Sequence, residues 1–357
     1  MTIKSLTLHN FRSYEHLELE FSDGLNLITG PNGVGKSNLA EAVHYLSLAK
    51  SWRSNEDRLL IREGQPSAYL KAVVEEGGLS REIEIEIARN SKRISVNGKK
   101  IAKLSELSKL VNVIIFSPED VKLFADSPGQ RRRFLDLAIA KKSPEYMEVL
   151  SSYNKLLGDR NAMLKDGNPD CRLLTIITSR MVEISEAICR ARAEYVAKLN
   201  TVLPKIIDEL SGGGHSAELT YRSYAKLNED FQTSANAAFE RALEGDCRHG
   251  STSVGPQRED IRFLFNGRDV AEFGSQGENR ISVLSLEIAP YFLIEEREKK
   301  PICVLDDVFS ELDESRSGAL LGFIKSLSQV FVTATKLETD GASIYEVSPE
   351  GINARRN

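Results

Sequence analysis

The stretch "LNLITGPNGVGKSNLAEAVHYLSLA", Leu25 to Ala49, runs from a short apolar segment through a glycine-rich turn into a helical pattern. Gly30, Pro31, Asn32, Gly33, Val34, Gly35, Lys36 and Ser37 match G-x-x-x-x-G-K-[ST] at every fixed position. Glycines there let backbone N–H groups approach phosphate oxygens. The lysine reaches the β and γ phosphates, and the final hydroxyl ligates magnesium. A turn that only caps a helix is the simpler alternative; the strand before the turn and the helix after it argue for a phosphate grip. Such a grip implies a nucleoside triphosphate, Mg2+, and an acidic residue from another strand to hold the metal shell.

That acid is far away. ICVLDDVF ends the most apolar strand in the chain at Asp306, roughly 270 residues beyond the glycine turn. The strand is expected to lie parallel beside the one near Leu27, with Asp306 at its tip near Ser37. Asp307 follows and projects toward the γ-phosphate side, where a carboxylate can polarise water. QVFVTAT is the next most apolar run. Such strands suit a parallel sheet buried on both faces, and so an α/β fold.

Just upstream, Ser275, Gln276, Gly277 and Glu278 open the helix SQGENRISVLSLEIAPYFL, whose buried face is expected at Ile281, Leu284, Ile288 and Phe292. Ser275 and Glu278 form an S-x-x-E capping box. A glycine-bearing turn at a helix N-terminus is also an anion site, so the two readings are compatible.

Earlier in the chain, alternation at Leu6–Leu8, Leu17–Leu19–Phe21 and Ile83–Ile85–Ile87 predicts half-buried strands. Turns are expected at Arg89–Ser91 and Asn97–Gly98. VNVIIF is expected to be a buried strand, with Ser117 capping a helix that starts at Pro118. Residues from about 120 to 250 are helical. Ile177, Met181, Ile184, Ile188, Ala191, Tyr195 and Leu199 follow a 4-3-4-3-4-4 spacing, a coiled-coil-like seam that begins after Asn168-Pro169-Asp170 and ends at Gly212–Gly214. The expected organisation is 1–120 and 251–357 as two parts of one α/β domain, interrupted by a short helical arm at 121–250.

With 357 residues, 41% hydrophobic content and a formal net charge of −5, the chain can bury a large core and is not basic overall. Any nucleic-acid site must therefore be a local patch. One candidate patch is Lys92, Arg93, Lys99, Lys100 and Lys103, though solvated turn charges account for it more simply. The other is Arg131, Arg132 and Arg133 in the first turn of a helix after Ser127-Pro128-Gly129. Positive charge there opposes the helix macrodipole, so a phosphate, ATP or a buried carboxylate must compensate. Cys171, Cys189, Cys247 and Cys303 stand singly without a C-x-x-C pair, which fits a reducing, cytoplasmic setting. No apolar run approaches the roughly 20 residues that span a bilayer, so no membrane association is expected.

Taken together, NFRSYEHLELEF, GPNGVGKSNLAEAV, FSPEDVKLF, SPGQRRRFLDLAI, VGPQREDI, SQGENR and LDDVFSELD resemble the RecF family, in the SMC/Rad50-like branch of ABC ATPases. The resemblance runs nearly end to end and is weakest through the arm. It implies an ABC-type P-loop ATPase head whose Gly30–Ser37 grip ATP, whose Ser37 and Asp306 hold Mg2+, and whose Lys36 and Asp307 serve hydrolysis. It implies a homodimer in which Ser275–Glu278 complete the partner copy's nucleotide site, with Ser310-Glu311-Leu312-Asp313 linking the two sites. Arg12 matches a nucleotide-proximal arginine, though a surface strand arginine fits as well. The implied partners are double-stranded, gapped or junction DNA and RecO- and RecR-type mediators, in the service of recombinase loading, recombinational repair and the SOS response. Two departures stand out: Gln257 replaces a usual histidine in VGPQRED, and Thr333 and Thr335 stand where many ABC ATPases carry a switch histidine. The second suggests weak intrinsic turnover. The nucleotide-binding subunit of an ABC transporter is the main rival, but it is expected to carry a glutamine-bearing loop, the histidine and a shorter P-loop-to-signature spacing. A nuclease-partnered SMC-like ATPase is expected to carry a longer coiled coil, and a small-molecule kinase lacks the signature.

Overall fold

The computed structural model describes residues 1–101, 106–107, 110–141, 143–166, 170–228, 230–310 and 312–356. Lys103, the Asn168-Pro169 turn and Glu311 lie outside the described residues. The chain forms two compact units, one of residues 1–121, 205–214 and 283–357, the other of 122–204 and 215–282.

In the first unit the alternating segments build an antiparallel sheet from β1 (Thr2–Phe11), β2 (Tyr14–Glu20), β4 (Ser67–Glu76), β5 (Leu79–Ala88), β6 (Ser91–Val96) and β7 (Lys99–Lys100), in the order β2-β1-β4-β5-β6-β7. Register follows the apolar pattern: Leu6 pairs with Leu19, Leu8 with Leu17, and Ile85 with both Leu70 and Ile94. Asn97 and Gly98 take positive φ of 49° and 73°, the geometry a two-residue hairpin needs.

The second sheet holds β3 (Gly24–Thr29), β8 (Val113–Phe116), β12 (Ile302–Leu305), β13 (Gln329–Ala334), β14 (Ser343–Ser348) and β15 (Gly351–Arg356), ordered β15-β14-β3-β13-β12-β8. Its pairings are parallel except β14 with β15. The strand of Asp306 does not adjoin that of the glycine turn, because β13 lies between them. Helix α1 (Lys36–Leu48) packs into one core with both sheets, through Leu39, Val43 and Leu46 against Leu6, Ile28, Val304 and Phe331. Gln329 joins the sheets inside this core. Its Oε1 accepts from Ile3 N at 2.8 Å, and its Nε2 donates to Ile3 O at 2.9 Å and Ser22 O at 3.0 Å.

The helix expected after Ser117 is only a short 3-10 turn, Asp120–Leu123. Asp120 Oδ2 accepts from Ser117 N and Oγ, so the Ser117 hydroxyl donates to the aspartate. Helix formation waits for Pro128.

The second unit contains α2 (Pro128–Ala140), α3 (Pro144–Lys165), the 30-residue α4 (Cys171–Asn200) and α6 (Phe231–His249); α5 (Leu203–Leu210), which follows α4, belongs to the first unit from Lys205 onward. Asp170 caps α4 by accepting from the N–H groups of Arg172 and Leu173. That helix stops at Asn200, short of the expected Gly212, because Pro204 has no N–H and its ring meets the carbonyl of Asn200 four residues back. The α4 seam is wider than a coiled-coil stripe and takes in Ser185, Cys189, Arg192 and Val196. It packs on α3, α6 and a three-stranded sheet, β11 (Arg268–Asp269), β10 (Asp260–Phe265) and β9 (Ala217–Arg222). Because β10 pairs antiparallel with β9, residues 251–282 belong to this unit, and the border expected near residue 250 falls instead after Ser282.

Replacing Gln329 with leucine strands the Ile3 N–H and C=O inside the core, while the Ser22 C=O keeps its bond from Asn26 Nδ2. Gln329→Leu is expected to lower the free energy of unfolding by about 2–4 kcal/mol in urea titration, with an unchanged m-value.

Candidate functional site

The glycine turn leaves β3 at Gly30 and enters α1 at Lys36. Gly30 has φ 140°, and an added Cβ there would sit 2.2 Å from Val347 O, so no other residue fits. Gly35, at φ 112°, lies against Ser13 and Tyr14, and its carbonyl accepts from the Tyr14 hydroxyl at 3.0 Å. Pro31, Asn32 and Gly33 are exposed, Val34, Gly35 and Ser37 are half-buried, and Lys36 is buried. The Lys36 ammonium donates to Gly30 O and Pro31 O, both at 2.7 Å. Burial pulls its pKa below the ordinary lysine value, opposed by the nearby Asp307 and Asp306 carboxylates.

Ser37 Oγ donates to Asp306 Oδ1 at 2.9 Å, so residues 269 apart in sequence meet. The inserted strand β13 contributes a third group. Thr333 Oγ1 donates to the same Asp306 oxygen at 2.7 Å and accepts from Asp307 N at 2.8 Å. In the sequence Thr333 stands out only as a missing histidine. Its position in QVFVTAT, on a strand parallel to both neighbours, was the signal available. Asp307 has φ 50°, a conformation that a non-glycine residue adopts only when its surroundings enforce it. Thr335 lies by the turn, its carbonyl accepting from Gly30 N at 3.3 Å.

Arg12 is also in a left-handed conformation, with φ 53°. Its Nε and Nη2 fork onto the fully buried Glu41 of α1 at 2.8 and 2.7 Å, and its Nη1 donates to Leu59 O at 2.8 Å. The arginine thus braces the phosphate-turn helix from the neighbouring sheet.

Ser275 and Glu278 form the capping box in full at the start of α7 (Gln276–Phe292): Ser275 N and Oγ donate to Glu278 Oε2 at 2.8 Å, and Glu278 N donates to Ser275 Oγ at 3.3 Å. Ser275 and Gln276 are exposed, and Gly277 is half-buried.

The basic candidates fare differently. Lys92 is not a free surface cation: it donates to Ala49 O and pairs with Asp57 at 2.7 Å. Arg93 is exposed but lies across the strand pair from Glu86, while Lys99 and Lys100 are exposed in β7. Arg131 is corrected as a DNA contact. It is buried, forks onto Asp260 with both bonds at 2.8 Å, and donates to Phe124 O and Asp126 O. The compensation for its place in a first helical turn is therefore a carboxylate. Arg132 is half-buried, donates to Glu259 O at 2.6 Å, and has its pKa lowered by desolvation and then by Arg192; Arg133 is exposed. Gln257 accepts from the Tyr153 hydroxyl at 2.6 Å and donates to Val254 O at 2.8 Å, which fixes the VGPQRED turn.

A glycine turn between a parallel strand and a helix, an aspartate two strands over and a capped signature helix define an ABC-type ATPase fold. A family model described as the RecF/RecN/SMC N terminal domain matches residues 2–348. The DNA replication and repair protein RecF of Clostridium acetobutylicum is 37% identical over 340 residues, covering 94% of this chain and 93% of that protein. Its namesake from Listeria welshimeri is 38% identical over 344 residues, with 94% and 93% covered. A solved structure of the recombination mediator protein RecF-ATPrS in the RecFOR pathway superposes with a TM-score of 0.82 at 32% identity, covering 99% and 98% of the two chains. The Smc head domain from Pyrococcus furiosus shares the fold at a TM-score of 0.60, with 17% identity over 99% and 95%. The chain belongs to the RecF family.

Thr333→Val keeps the shape but leaves Asp307 N–H without its acceptor and Asp306 with one donor fewer. Thermal or urea unfolding is expected to show a loss of about 1–3 kcal/mol, which Thr333→Ser largely spares.

Proposed function

We propose that the protein is an ATPase of DNA repair and replication that closes into a homodimer on ATP and binds DNA, at gaps or single-strand/double-strand junctions. In this reading it works in the cytoplasm with RecO- and RecR-type partners to help load a recombinase, in recombinational repair and the SOS response. The observation that carries the reading is the meeting of Ser37 and Asp306 at 2.9 Å beside a buried Lys36.

The donor set suits magnesium. One hydroxyl and one carboxylate oxygen are hard ligands, and magnesium takes few protein ligands because phosphates and water complete its octahedron. Among the described residues no cluster of three or more His, Cys, Asp or Glu is arranged for a metal. When bound, the ion neutralises charge on the β and γ phosphates. Lys36 exchanges the carbonyls of Gly30 and Pro31 for phosphate oxygens. Ser37 and Asp306, steadied by Thr333, fix the metal side, and Asp307 orients and polarises the attacking water. Thr333, its hydroxyl committed to Asp306 and Asp307 N, and Thr335 stand where a histidine would sense the γ-phosphate, so turnover is slow and the bound state long-lived. The Ser275–Glu278 turn, with its helix N-terminus, meets the γ-phosphate held by the partner copy. Arg12 acts on the nucleotide indirectly, through Glu41 and α1. Arg93, Lys99 and Lys100 remain candidate DNA contacts.

Lys36→Met is expected to abolish ATP binding and, with it, ATP-dependent self-association and DNA binding. Asp307→Asn is expected to keep nucleotide binding and self-association while turnover falls by about 100-fold or more. Equilibrium nucleotide binding, light scattering with and without ATP, and phosphate release check these outcomes. A Lys36→Met protein that assembles and binds DNA like wild type would refute the coupling.

A further inference from the structure

We infer that a cleft in the second unit, lined by Arg222, Arg241 and Arg258, binds phosphate groups of the DNA backbone. The inference rests on the DNA-binding reading above and locates its contact. The three residues come from the end of β9, from α6 and from the turn after Gly255, and they converge on an open cleft of about 370 Å³. All three are exposed, and among the described residues no carboxylate pairs with any of them. The Arg258 guanidinium reaches only the Thr252 carbonyl, with Nε and Nη2 both at 3.3 Å.

Among the described residues Glu259 is the only acid lining the cleft, and it is not available as a counter-charge. It is buried and accepts from Arg192 Nη1 at 3.0 Å, Ser223 Oγ and Tyr224 N at 3.1 Å, and the Tyr221 hydroxyl. Gly255 fixes the turn that presents Arg258. Its φ is 121°, and a Cβ there would lie 2.3 Å from Tyr153 Oη. Three unpaired guanidiniums gathered on a rigid turn, a strand and a helix in a chain of net charge −5 call for an anionic ligand. The planar fork of arginine matches phosphate oxygens. The rest of the lining includes Tyr224, Ala238, Ala242, Ser253 and Val254, and the cleft is open rather than a deep apolar pocket that would bury an aromatic or aliphatic anchor of a protein partner. These features favour a phosphodiester strand over an acidic polypeptide.

The test uses the full chain with Mg-ATP and a fluorescent gapped duplex, titrated by anisotropy from 50 to 200 mM salt. Nucleotide affinity and the thermal midpoint serve as controls. Substituting Arg222→Gln, Arg241→Gln and Arg258→Gln together is expected to weaken DNA binding and to reduce the slope of log affinity against log salt by about 2.7, about 0.9 per phosphate contact. Across that salt range the wild type then loses about 40-fold more affinity than the variant. The single change Arg241→Gln, on an exposed helix face, is expected to reduce the slope by about 0.9, and Arg241→Lys to restore it. A triple variant with wild-type DNA affinity and slope overturns the inference, whether or not it has lost affinity for inorganic phosphate or for an acidic protein. A wild type that binds no DNA at any salt overturns the DNA-binding reading itself, and the two failures are told apart by that comparison.

Discussion

A single carboxylate oxygen, Oδ1 of Asp306, accepts hydrogen bonds from Ser37 and from Thr333. Everything at the phosphate turn depends on this joint, because it locks three strand ends to one another. The register of β3, β13 and β12 sets it: Ile28 pairs with Thr333, and Leu305 with Val332. With side chains alternating between faces, a slip of one residue in β13 would turn the Thr333 hydroxyl away and leave Asp307 N–H without an acceptor. The core that Gln329 stitches to β1 therefore does more than stabilise the fold. By holding the first residue of β13 it fixes the register that reaches the site at the other end of that strand.

The second unit is held by a different means. Arg131, Arg160 and Arg192 are buried and face Asp260, Asp246, and Asp136 with Glu259. Such pairs contribute little net stability over well-packed apolar groups, since desolvation offsets much of the attraction. Breaking one by removing a partner costs about 3–5 kcal/mol. Their geometric demands are strict, so they specify how α2 and α4 meet β10 and the turn of Gly255–Glu259, and how α3 meets α6. That turn is consequently rigid without regular secondary structure on both sides. Its two neighbours Gln257 and Arg258 follow opposite courses, one closing on Tyr153 and the other standing at the cleft.

The glycine turn, Asp306 and the capping box were legible in the sequence because each is a local pattern with a local mechanism. Strand order is not local. Apolar strands such as ICVL and QVFV announce that they are buried, but nothing in them says which lies next to β3, so the threonine between Asp306 and Asp307 was read only as an absent histidine. The border near residue 250 was misplaced for the same reason. DIRFLF has the alternation of a strand, and its partner ELTYR lies on the far side of α6, across a separation that pattern alone does not bridge. Pro204, by contrast, was readable as a helix break. The seam of α4 concealed it, because Leu203 begins a new amphipathic helix almost where the old one stops.

The misread basic run carries a more general physical point. Consecutive helical residues point about 100° apart, so Arg131, Arg132 and Arg133 cannot share one surface. One turns inward to Asp260, one is half-buried against a carbonyl, and one faces solvent. Arg222, Arg241 and Arg258 are scattered across 37 positions, with no run to mark them, yet a strand end, a helix and a turn carry all three to one cleft. On a chain with net negative charge, where a stray cation readily finds an acidic neighbour, cations that stay unpaired together are more telling than cations adjacent in sequence. Convergence in space, not density along the chain, is what makes a basic patch.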